Sequence, residues 1–131
     1  MNCSINLFAG WFCFLLGAIS GALIGLRFHR ENWLDGYESF RRRMLRLGHI
    51  AFFGLGFINI LFALSAPTTR VAFTEVASPL LVIGAATMPL VCFLSAWKPA
   101  FRHAFFIPVV FTAGGIGMFL MNWLPVEKIF R

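Results

Sequence analysis

The chain has 131 residues, of which 60% are hydrophobic and only 12% charged, and its mean hydropathy is +0.83. Soluble domains carry roughly a quarter charged residues, so this balance excludes an ordinary soluble fold and leaves almost nothing for a separate aqueous domain. The formal net charge of +6 is confined to short segments between apolar runs, which argues for bilayer headgroups and against nucleic acid as the partner of the basic residues.

Four apolar stretches, 5–26, 47–66, 77–97 and 104–124, dominate the chain. At ~1.5 Å per helical residue each is about long enough to cross a ~30 Å hydrocarbon core. The predicted fold is therefore an all-α integral membrane protein, one four-helix transmembrane domain over residues 1–131 with antiparallel helices. The flank of the first stretch, Met1 to Ser4, carries no Lys or Arg, whereas Arg27 and Arg30 follow it. This polarity is the reverse of a secretory signal, so the stretch reads as a retained helix. Within it Gly17, Gly21 and Gly25 stand four residues apart. Such a stripe lets another helix backbone approach closely, which drives association where no hydrophobic effect operates.

The segment from Arg27 to Arg46 follows. Asp35-Gly36 predicts a turn, and Tyr37, Phe40, Met44 and Leu47 then recur at helical spacing. A short basic amphipathic helix is expected here, either lying at the membrane surface or running into the second membrane helix. Arg41, Arg42, Arg43 and Arg46 on it are candidates for binding lipid headgroups or a partner. With Lys98 and Arg102 between the third and fourth stretches, these residues put most of the basic charge on one side; Arg70, Lys128 and Arg131 fall on the other. Short basic loops favour the cytoplasmic face, so both termini are predicted to be non-cytoplasmic, in a plasma or bacterial inner membrane.

The connection from Pro67 to Glu75, which contains Pro67-Thr68-Thr69, is short, so the second and third helices are expected to be antiparallel neighbours. Pro79 is assigned to the first turn of the third helix and Pro89 to its interior, where a kink or a loosened hydrogen bond is expected. Lys98-Pro99 ends that helix, and Pro108 falls near the start of the fourth. Trp11, Trp33, Trp97 and Trp123 lie near the predicted membrane boundaries. Cys3, Cys13 and Cys92 show no metal-binding or redox spacing; Cys13 and Cys92 read as small core residues.

No Asp, Glu, Lys or Arg lies within the body of any stretch, which disfavours a carboxylate-based proton or cation path. The remaining polar groups form stripes at 3-4 spacing: His49, Phe52, Gly56, Asn59 and Ala63; Ala85, Met88, Cys92 and Ser95; Thr112, Gly115, Phe119 and Asn122. They should face the bundle interior, with Asn59 a packing residue, because an unpaired amide in lipid is costly. His49 and His103 lie near the basic edge and are candidate axial ligands for a b-type haem, or ligands for a divalent metal, should the second and fourth helices stand diagonally. His103 shares its helix face with Gly114 and Gly117, nearly opposite Thr112, so an inward Thr112 turns His103 outward. His29 lies between two arginines and reads as interfacial. No nucleophile or phosphate-binding motif is present. The functional expectation is a non-enzymatic accessory or structural subunit in a larger membrane complex or homo-oligomer. A haem- or metal-binding redox protein is the alternative, and a small channel or transporter a weaker one.

Overall fold

The structure, a computed structural model, describes residues 4–66 and 71–121. These residues are helical throughout apart from turns: α1 (Ser4–Gly25), α2 (Phe40–Ser65), α3 (Val71–Trp97) and α4 (Phe106–Leu120), with 3-10 segments at Trp33–Asp35 and Pro99–Phe105. Four spans, Ser4–Gly25, Phe40–Ser65, Ala72–Trp97 and Pro99–Leu120, are long and apolar enough to cross a membrane. Their 22 to 26 residues correspond to about 33–39 Å of helix. Cys3, residues 67–70, Asn122, Trp123, Lys128 and Arg131 lie outside the described residues.

The helices differ from the apolar stretches in instructive places. α2 begins at Phe40, capped by Ser39, whose Oγ accepts from the Arg42 backbone N–H at 3.2 Å. The arginine-rich segment is thus the opening of α2 rather than a separate amphipathic helix. Nothing between Phe40 and His49 interrupts the helical period, and the serine cap fixes where it starts. α3 begins at Val71, so Val71 to Glu75 belong to the helix instead of the connection, and Pro79 lies about two turns inside it, with Pro89 further along. α4 is preceded by a 3-10 run opened by Pro99, and Pro108 is the third residue of α4. There its missing N–H is one of the donors a helix start leaves unpaired anyway.

α2 packs against α1 on one side and α3 on another; α3 also carries α4, and α1 meets α3 over a smaller area. Glycines set the closest approaches. A Cβ at Gly10 would lie 2.8 Å from the Gly56 carbonyl oxygen and overlap Ile60, and one at Gly17 would lie 2.8 Å from the Phe53 ring. Gly21 admits the His49 ring, Gly48 the Cys92 and Phe93 side chains, Gly84 the Thr112 side chain, and Gly115 the Leu81 side chain. Gly25 has nothing within 4 Å. Buried Phe62, Ala66, Ala77 and Leu81 form one apolar cluster, with Phe119 of α4 against it. Cys13, Leu55 and Ala85 form another, with Phe52 and Met88.

This pattern predicts a contrast between two glycines of α1. Gly10→Val forces apart the α1–α2 backbone contact and should destabilise the detergent-solubilised protein by about 1–3 kcal/mol, the usual range for overpacking. Gly25→Val adds its side chain to open space and should leave thermal unfolding unchanged.

Candidate functional site

The most buried polar cluster lies where the start of α1 meets α2 and α3. Asn6 and Asn59 are both 0% exposed. The Asn6 Nδ2 group donates to Asn59 Oδ1 at 2.9 Å and to the Ser78 carbonyl at 3.3 Å, while its Oδ1 accepts from Ser78 Oγ. Asn59 Nδ2 donates to the Leu55 carbonyl at 3.0 Å and the Leu81 carbonyl at 3.2 Å. Both amides have all donors used and their oxygens engaged. Asn59 is inward on its predicted stripe. Asn6 and Ser78 escaped sequence reasoning; the available signal was a lone asparagine in the first turn of an otherwise apolar helix.

At the end of the α1–α2 contact nearer the basic edge, His49 turns toward α1. Its Nδ1 is 3.0 Å from the Gly17 carbonyl and 3.3 Å from Ser20 Oγ, and Ser20 Oγ itself donates to the Gly17 carbonyl at 3.0 Å. A carbonyl only accepts, so Nδ1 carries the proton in the neutral ring and Nε2 keeps its lone pair. The ring also stands edge-on to Phe53, with centroids 5.3 Å apart. His103 is exposed on the 3-10 segment that packs against α3 and α4, and His29 is exposed in the connection after α1. The structure thus seats His49 in the α1–α2 contact and does not bring His103 to it. Thr112 points inward at Gly84, and its Oγ1, like Ser95 Oγ, is buried without a hydrogen-bond partner among the described residues.

The four arginines at the start of α2 separate by role. Arg42 is 2% exposed. Its guanidinium donates to the Trp33 and Arg30 carbonyls and to the Glu31 carbonyl at 2.8 Å, and lies 5.3 Å from the Trp33 ring centroid. Arg41 Nε donates to the Ala96 carbonyl at 3.0 Å, near the end of α3, and its head lies 3.7 Å from Asp35. Arg46 donates to the Tyr37 carbonyl at 3.3 Å and covers the Tyr37 ring at 4.5 Å. Arg43 is exposed. Grouping all four as headgroup ligands therefore overlooks that Arg42 is an internal clamp on the α1–α2 connection.

Cys13 and Cys92 are free and buried. Among the described residues no group of three or more His, Cys, Asp or Glu is placed to hold a metal ion. No protein family, curated protein or solved structure matches the chain.

The Asn6–Asn59 bond is testable by a double-mutant cycle. Asn6→Ala and Asn59→Ala should each destabilise the protein, and their coupling should fall near the ~0.6 kcal/mol average for interhelical bonds in membranes, at most about 1.7. Strictly additive unfolding free energies would show that the bond contributes nothing of its own.

Proposed function

We propose that the chain is a four-pass membrane protein with antiparallel helices that works without catalysis, as an accessory subunit packing against other membrane helices. Both basic connections face the cytoplasm in this arrangement, so the termini lie on the opposite side. The supporting observation is the outer face of α4. Ala113 and Gly117, four residues apart, are both exposed, and nothing lies within 4 Å of the Cβ position of Gly117. Small residues at this spacing are what a second transmembrane helix packs against, and none of the described helices covers them. The interior supports the same reading, because its polar groups Asn6, Asn59, Ser78 and Ser20 are engaged in joining helices.

The wild-type protein extracted in mild detergent should migrate as an assembly, either of copies or with a co-purifying membrane subunit. Gly117→Leu should dissociate it while preserving helix content. A wild-type protein that runs only as a stable monomer, with nothing co-purifying, would count decisively against the proposal.

One observation favours a second reading, that His49 ligates a haem or metal. A histidine whose Nδ1–H is held by a backbone carbonyl presents Nε2 as the ligand atom, and His49 has that arrangement. Haem-sufficient expression should then give a Soret band that His49→Ala abolishes; a colourless preparation would sink this reading.

A further inference from the structure

Asn6 and Ser78 hold α1 against α3 at one end, but the two helices meet over only a small area. A groove opens between them with α2 as its floor. Its deeper part, about 520 Å³, is lined only by apolar side chains, among them Phe8, Phe12 and Leu16 of α1, Phe52 of α2 and Ala86 of α3. Its upper part, about 360 Å³, is lined by Ser20, Leu23, Arg27, Trp33, Leu45 and their neighbours. Phe93 lines both parts, so they adjoin at its ring. One face of α1 therefore lines the two parts from Ile5 to Ile24, and Arg27 follows just beyond the helix end.

The chemistry changes along this length as it does along a lipid. From Arg27 to Phe12 is fifteen residues, about 22 Å of helix, which exceeds the depth of one leaflet of a ~30 Å core. At the top, Arg27 is exposed and its guanidinium has no ion pair or hydrogen bond among the described residues. Beside it Trp33 is fixed by the Arg42 guanidinium over its ring. Hence the wall of the upper groove is organised before anything binds.

We infer that this groove holds one phospholipid with an anionic headgroup, its phosphate at Arg27 and one acyl chain between α1 and α3. The inference rests on the membrane-embedded reading above but not on any partner subunit. A free phosphate would find a single exposed cation here, whereas a lipid gains the apolar groove as well.

The test is native mass spectrometry of the full chain released from vesicles of phosphatidylcholine with a minority of phosphatidylglycerol. One phosphatidylglycerol should be retained per chain in preference to phosphatidylcholine. Arg27→Gln should lower retention about five-fold, the equivalent of ~1 kcal/mol per basic residue at the membrane surface. Ala86→Phe, at an exposed position that fills the deeper groove, should lower it at least as much, and Arg43→Gln should not change it. Equal losses in Arg27→Gln and Arg43→Gln would overturn the inference in favour of diffuse charge attraction. Undiminished retention in Ala86→Phe, or equal retention of phosphatidylcholine, would overturn it as well. So would a second copy occupying the groove, seen as a dimer that Ala86→Phe alone dissociates. Failure of the chain to float with pure phosphatidylcholine vesicles would defeat the membrane reading itself, a result separable from the others.

Discussion

The bond between Asn6 and Asn59, with Ser78 completing it, constrains everything else in the bundle. In hydrocarbon there is no water to accept an amide left over, so a buried asparagine must find its partners within the protein. Once Asn6 is paired to α2 and α3 together, the rotation of α1 about its own axis is fixed. Gly10, Gly17 and Gly21 then fall on the α2 side, where each admits a backbone or a ring that a Cβ would exclude. The energy of such a bond is modest, since the separated helices also find partners for their amides. Its larger consequence is specificity: a helix turned by 100° would strand two amides and turn the glycines away from α2.

A different device holds the opposite end. After α1 the chain reverses through Leu34, Asp35 and Gly36, all with positive φ, a conformation that costs a bulky residue such as Leu34 about 1–2 kcal/mol. The loop's Arg30, Glu31 and Trp33 carbonyls are satisfied by the buried Arg42 guanidinium. Carbonyl dipoles and aromatic faces replace a carboxylate as its counter-charge. A planar fork of donors suits this role, and a lysine would not span the same set of acceptors. Arg41, one residue earlier and about 100° around the helix, caps the end of α3 through Ala96. The start of α2 thereby fastens the connection from α1 and the end of α3 in two consecutive residues.

How much of this was legible in the sequence depends on which interaction decides a residue's place. The inward stripes were legible because burial follows period: Asn59, Ala63, Ala85, Cys92, Ser95 and Gly115 are all buried. Thr112 faces Gly84 and His103 is exposed, but His103 lies on the 3-10 segment before α4, so an unbroken helical period does not relate the two. The division of labour among Arg41, Arg42, Arg43 and Arg46 was not legible, because composition gives four equal cations and only the loop geometry distinguishes them. Nor was the partner of Asn6 legible, since pairing across 53 and 72 positions of chain depends on the register between helices. The start of α3 was misjudged because Thr74 and Glu75 read as polar loop; in the structure Thr74 is buried and Glu75 exposed on successive faces of one helix.

Register also explains why α1 closes on α2 and not on α3. The α2-facing side of α1 carries glycine at Gly10, Gly17 and Gly21, whereas the side toward α3 carries Phe8, Phe12 and Leu16. Opposite them, Phe52 of α2 and Phe93 of α3 stand with ring centroids 5.9 Å apart, and bulk on both sides keeps the backbones separate. Past Ser78 no polar bond draws α1 to α3, and dispersion with an acyl chain is as favourable as dispersion with another side chain. A three-helix pin at one end, small residues on one face and large ones on the next are sufficient to leave a cleft between α1 and α3. The separation of α1 from α3 is therefore a consequence of the same residue placement that makes α1 and α2 adhere.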